Sequence, residues 1–113
     1  MVEEITYKDF LKVDIRMGTI LSAKENFELK KPSLLLEIDF GEKIGIKKSS
    51  AQLLKYYSPK KIIGKQVAAV INFAPKQIGK IMSEVLVLGF PDNENEPILV
   101  SADFKVVNGV RLF

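Results

Sequence analysis

The chain has 113 residues, with 17 Lys plus Arg, 14 Asp plus Glu and no His, for a formal charge of +3. That length fits one domain, and 47% apolar with 27% charged residues is globular composition. The absence of Cys and His excludes disulfides, thiolate nucleophiles, cysteine-type zinc or iron–sulfur sites, and any catalytic dyad built on imidazole. The carboxylates have no calcium-loop spacing, so neither metal nor cofactor is expected. No apolar run approaches the roughly 20 residues that span a bilayer. Met1-Val2-Glu3-Glu4 lacks the basic start and apolar block of a signal peptide. The expectation is a cytoplasmic protein without membrane insertion.

The elements follow in chain order. Thr6 is placed to cap a short helix within residues 5–12 that presents Tyr7, Phe10 and Leu11 on one side. Residues 15–24 form a long strand with Gly18 inside it, a mark of a bulge or bend. Leu34, Leu36, Ile38 and Phe40 alternate with Leu35, Glu37 and Asp39, the pattern of a half-buried strand. Gly41-Glu42-Lys43 turns it back into a hairpin partner over 44–48. Two short helical pieces come next. Ser49 or Ser50 caps residues 51–57, and Ser58 caps a turn with Pro59 at its first position and Gly64 as its stop. Residues 66–73 are a fourth strand, 74–80 a loop and 84–90 a fifth strand. Beyond them lie a polar loop over 91–97, a short strand at 98–100, and a hairpin around Asn108-Gly109.

Three strands, a helical connection and two strands is the order of an OB-fold. The predicted fold class is therefore all-β: a five-stranded Greek-key barrel with short helices between strands three and four. A small SH3-like barrel is the rival, and it does not account for those helices. The single domain spans 1–113, with the barrel over about 13–90 and extensions at 1–12 and 91–113.

Charge is unevenly placed. Residues 1–29 carry −2, residues 30–80 carry +8 (eleven Lys against Glu37, Asp39 and Glu42), and residues 81–113 carry −3. A basic middle between acidic ends suits a polyanion-binding face; solubilising loop lysines are the plainer alternative. OB-folds bind nucleic acid on strands two and three, between the one–two and four–five loops. Lys30 and Lys31 fall in the first of those loops, Lys47 on strand three, and Lys76 and Lys80 in the second. Ser83 follows directly and can offer a hydroxyl to a base or phosphate. Phe27, Phe73 and Phe90 read as filling for the barrel and its ends, with base stacking as the alternative. Glu37 and Asp39 face one way, as a solvent face and not a catalytic pair.

At these residues the chain resembles the tRNA-binding OB-domain family, found at the C-terminus of some methionyl-tRNA synthetases, in synthetase cofactors and as stand-alone dimers. The resemblance rests on Asp14-Ile15-Arg16-Met17-Gly18-Thr19-Ile20, on Tyr57-Ser58-Pro59 through Gly64-Lys65, on Asn72 with Pro75-Lys76, and on Ser83-Glu84. Ile46 to Gln52, Asn72 to Gly79, Met82 to Pro91 and the ending Asn108 to Phe113 are similar to one branch, the CsaA-type chaperone-like proteins. Val85 and Leu86 stand where the broader family has Gly and Met. The resemblance implies a non-catalytic homodimer that binds tRNA, with Asn72, Ser83 and Leu86 joining the lysines at the site. Its alternative is an export-related chaperone that binds peptides or preproteins.

Apolar residues outside the predicted barrel point to the dimer contact. Tyr7, Phe10 and Leu11 lie on a helix too short to stand alone. Phe104, Val106, Val107, Leu112 and Phe113 follow a barrel that should already be closed. Left exposed, both sets would form a patch large enough to drive association; the alternative is that both termini fold back on their own barrel as plugs.

Overall fold

The computed structural model describes residues 2–27 and 31–113. Its first element, α1 (Tyr7–Phe10), is one turn set by a capping box: Thr6 Oγ1 accepts the Asp9 N–H at 3.1 Å, and Asp9 Oδ2 accepts the Thr6 N–H at 3.1 Å. β1 (Ile15–Asn26) then runs antiparallel to β2 (Ser33–Asp39) over residues 19–26, and antiparallel to β4 (Gln66–Val70) over residues 15–19. It therefore joins both halves of the structure, as its length requires. β3 (Ile46–Ala51) pairs with β2, giving a five-stranded sheet in the order β3-β2-β1-β4-β7, where β7 is Leu86–Val87.

The irregularity in β1 lies elsewhere than predicted. The pairing with β2 slips between Ile20 and Ser22, so Leu21 is the extra residue, while Gly18 pairs regularly with Val67. Gly18 serves close approach instead. A Cβ there would sit 2.5 Å from Ile38 Cγ2 and 2.8 Å from the Phe40 ring. Two large core side chains pack directly over its backbone.

The sheet curls until its ends meet. Glu84 N–H donates to the Lys48 carbonyl at 2.8 Å, Ser50 N–H donates to Ser83 Oγ at 3.1 Å, and Ser49 Oγ donates to the Val85 carbonyl at 3.0 Å. Side chains thus replace part of a regular ladder between β3 and the segment leading into β7, and the mostly β structure is an OB-like barrel. The predicted helix over 51–57 is not formed. Ser49, Ser50 and Ala51 continue the β ladder opposite Leu36, Leu35 and Leu34. That ladder, with the buried Ser49 hydroxyl used across the closure, outcompetes an exposed turn's caps. Only the second helical piece survives, as α2 (Pro59–Ile62), with Gly64 at φ +91° ending it.

Ile20, Leu34, Leu36, Ile38, Phe40, Ile62 and Val67 form the fully buried centre. Each such side chain contributes about 1.5–3 kcal/mol relative to exposure. α2 supplies Ile62 to it, held by Gly64 N–H to the Ile20 carbonyl at 2.8 Å and Ile20 N–H to the Lys65 carbonyl at 2.9 Å.

Three further expectations change. Residues 74–80 are not a simple loop: β5 (Lys76–Ile78) and β6 (Ile81–Ser83) form a hairpin standing off the barrel. The predicted fifth strand over 84–90 is broken into β7 and β8 (Gly89–Pro91), and β8 makes its own hairpin with β9 (Pro97–Leu99). The Asn108-Gly109 turn forms, but its arms do not pair with each other. The turn and its second arm dock on β1, through Gly109 N–H to the Met17 carbonyl (2.7 Å), Met17 N–H to the Val110 carbonyl (3.1 Å) and Leu112 N–H to the Ile15 carbonyl (2.9 Å). The edge of an existing strand satisfies those backbone groups better than a free two-stranded ribbon would.

Candidate nucleic-acid interface

The β5–β6 hairpin and the barrel closure enclose a cleft of about 340 Å³. Lys76 and Ser83 are direct cross-strand partners, so their side chains stand on the same face of the hairpin. Ser50, Phe73, Glu84 and Leu86 complete the cleft. Ser83 is fixed because its hydroxyl oxygen accepts the Ser50 N–H, which leaves its own O–H to turn toward a ligand. Glu84 is committed by a 3.0 Å bond from the Lys48 N–H to its Oε1, while its Oε2 lies 4.0 Å from Lys47 Nζ. The substitution at Val85 and Leu86 is explained by orientation. Val85 points into the core and has no positive φ that would need glycine, while Leu86 is half exposed in the cleft.

The sequence-predicted residues divide. Lys76, Ser83 and Leu86 are brought together. Lys47 pairs opposite Ile38, a core residue, so its side chain starts from the inward face of β3 and reaches Glu84 at the barrel edge. Its neighbour Lys48 is opposite Glu37 on the outer face and is exposed. The alternation of β2 carried that information once the register was known. Asn72 has a structural task, with its amide oxygen accepting the Asp14 N–H at 3.0 Å and its NH₂ donating to the Lys12 carbonyl at 2.7 Å. Lys80 lies at the hairpin tip and lines a neighbouring cleft with Lys24 and Phe27. Lys31 is exposed at another depression, beside Gln52 and Lys55. Lys30 lies outside the described residues. Phe27, Phe73 and Phe90 do not fill the barrel; all three are more than half exposed.

The terminal apolar residues are also largely solvent-facing. Tyr7, Leu11, Phe104, Val107, Leu112 and Phe113 are exposed, and Phe10 and Val106 are half-buried. Arg111 Nη2 donates to the Leu11 carbonyl at 2.6 Å, which sets the C-terminal run beside α1. The run lies along β1, and before the turn it meets β4, where the Gln66 amide oxygen accepts the Val106 N–H at 3.1 Å. No helix among the described residues is long and apolar enough to cross a membrane.

The family described as "Putative tRNA binding domain" matches residues 15–111. The structure is similar to that of the chaperone CsaA from Bacillus anthracis, with a TM-score of 0.92 and 40% identity over 98% of this chain and all of that one. It is similar to the CsaA chaperone protein from Picrophilus torridus, with a TM-score of 0.88 and 42% identity over 97% of this chain and 100% of that one. Among sequences, the methionine–tRNA ligase of Methanococcoides burtonii is 38% identical over 99 residues, which is 88% of this chain and 14% of the ligase. The chain therefore spans about one seventh of that ligase's length.

Proposed function

Because the chain belongs to the tRNA-binding-domain family, we propose that it is a non-catalytic tRNA-binding protein of the CsaA type, working in the cytoplasm as a homodimer. The observation that carries this reading is the cross-strand placement of Lys76 and Ser83 over a cleft bounded by Leu86. Lys76 supplies a point charge for a phosphate, Ser83 a fixed hydroxyl for a phosphate, sugar or base edge, and Leu86 an apolar contact. Lys47 and Lys80 extend the positive field near it, and Lys30 and Lys31 of the one–two connection are proposed as further RNA contacts. Such contacts recognise the shape and backbone of a folded RNA more than its sequence. Pairing through α1 and the C-terminal run would set two such clefts in fixed relation, and one tRNA spanning both gains by multivalency.

A second reading is supported by the apolar side of the same cleft, where Phe73, Ile78 and Leu86 are lining residues, and by the chaperones named among the similar structures. On that reading the cleft takes peptides or export-bound preproteins. Isothermal titration with bulk tRNA and with an unfolded preprotein, each at low and high salt, separates the two. tRNA affinity should fall steeply with ionic strength, whereas apolar peptide affinity should hold. Absence of tRNA binding at low salt would overturn the first reading.

A further inference from the structure

The chain leaves β4 and enters the β5–β6 hairpin through residues 71–75, which belong to no strand. Among the described residues, the hydrogen bonds that hold this approach all run to Lys12 and Asp14. Ile71 N–H donates to the Asp14 carbonyl at 2.9 Å, Asn72 Oδ1 accepts the Asp14 N–H at 3.0 Å, and Asn72 Nδ2 donates to the Lys12 carbonyl at 2.7 Å. Phe73, Ala74 and Lys76 follow directly and line the cleft. The exit of the hairpin is fixed separately, by Ser83 on Ser50 and Glu84 on Lys48. The hairpin thus stands on two anchors, and the one nearer Lys76 is the segment 11–14.

That segment is gripped on its other side by the C-terminal run. Arg111 Nη2 donates to the Leu11 carbonyl at 2.6 Å, and Arg111 Nε lies 3.5 Å from Asp14 Oδ1. Arg16 Nε donates to the same carboxylate at 2.6 Å, while Arg16 Nη1 donates to the Gly109 carbonyl at 3.0 Å. Hydrogen bonds between charged groups are about twice as strong as neutral ones, so the half-buried Asp14 is a firm node. Between the two grips, Lys12 N–H and Val13 N–H are bonded at 3.1 Å into the end of α1. Residues 11–14 therefore have little freedom to absorb a shift applied at either side.

We propose that residues 11–14 are a strut between the C-terminal run and the cleft, with Arg111 and Asn72 as its positioning residues. Neither side chain touches the ligand; together they set where Phe73 and Lys76 stand relative to Ser83. The effect on binding rests on the RNA reading above, whereas the strut itself is a property of the free protein. Coupling of this kind runs through contiguous hydrogen bonds and is established only by perturbing one end and reading the other.

Amide NMR of the free protein makes that reading. Arg111→Ala, at the far end of the strut, should move the signals of Phe73 and Lys76, and Asn72→Ala should move those of Leu112 and Gly109. Titrations with bulk tRNA are then run at protein concentrations where sedimentation shows the same species for every variant. Each substitution should weaken binding about fivefold. The double variant should bind no more weakly than the weaker single one, because both break the same strut. The dependence on salt should stay at the wild-type slope, since no phosphate contact is lost. Unmoved Phe73 and Lys76 signals in folded Arg111→Ala, additive losses, or a flattened salt slope would each overturn the strut. Should Asn72→Ala fail to fold, the Arg111→Ala spectrum alone decides. A wild type that binds no tRNA would sink the RNA reading, and the NMR comparison would still decide the strut.

Discussion

The Ser50 backbone N–H donates to the Ser83 hydroxyl oxygen at 3.1 Å, joining β3 to the end of the β5–β6 hairpin. One side chain thereby takes part in closing the barrel and stands in the candidate cleft. Ser83→Ala removes the hydroxyl that accepts this amide, and a part-buried unsatisfied donor costs about 1–2 kcal/mol. Urea unfolding should report a loss of that size, and tRNA affinity should drop with it even at concentrations where the variant is fully folded. Unchanged stability would mean that water replaces the hydroxyl and the bond has no closing role.

The glycines give an ordered series. Gly109 has φ +91°, and an added Cβ would lie 2.4 Å from the Phe40 carbonyl oxygen. Gly45 has φ +87° with open space around it. Gly18 has an ordinary φ but faces Ile38 and Phe40 at 2.5 and 2.8 Å. Alanine at Gly45 should cost about 1 kcal/mol, from backbone conformation alone. At Gly18 it should cost about 1–3 kcal/mol through overpacking. At Gly109 both penalties combine, and the loss should be the largest of the three. Melting temperatures that do not place Gly109→Ala lowest would refute the docking of the C-terminal turn on the second strand's end.

The loop after β8 carries a pH signature. The Tyr56 hydroxyl donates to the Asp92 carboxylate, and the N–H groups of Glu96 and Glu94 add bonds of 2.8 Å each. Led by the Tyr56 bond, these hold the Asp92 pKa below its ordinary value of 3.8. A depressed carboxylate stabilises the fold above its unfolded pKa, and that contribution is lost as pH falls through the folded value. Tyr56→Phe should move the Asp92 titration, followed by carboxyl carbon NMR shifts, toward 3.8. A midpoint indifferent to the substitution would remove Tyr56 from the network.

Association should depend on the exposed terminal rings. Phe113 is fully exposed and Phe104 is 84% exposed. Phe104→Ser with Phe113→Ser should shift light scattering from a dimer to a monomer, with little change in the circular dichroism spectrum. A wild type that scatters as a monomer at micromolar concentration would exclude the dimer.

Much of the barrel was legible from local patterns. The alternation of Leu34, Leu36 and Ile38, the turn glycines at 41 and 64, and the Thr6 cap each act within a few residues of chain. What escaped depends on contacts distant in sequence. Ser49 and Ser50 read as caps because their partners, Val85 and Ser83, lie more than thirty positions away. Lys47 and Lys48 differ in facing only once β3 is registered on β2. Asn72 resembled a ligand contact, yet it ties the chain at Lys12 and Asp14, a link with sequence separations of 60 and 58. The bulge at Leu21 has no sequence mark, and Gly18, whose missing side chain suggests a bend, instead makes room for Ile38 and Phe40.

A phosphate-binding face makes tRNA affinity depend on salt. Log affinity should fall linearly with log salt, and Lys76→Ala with Lys80→Ala should flatten that slope by about one unit per lost phosphate contact. A double variant that binds tRNA with the wild-type slope would contradict a phosphate-binding face built on the β5–β6 hairpin.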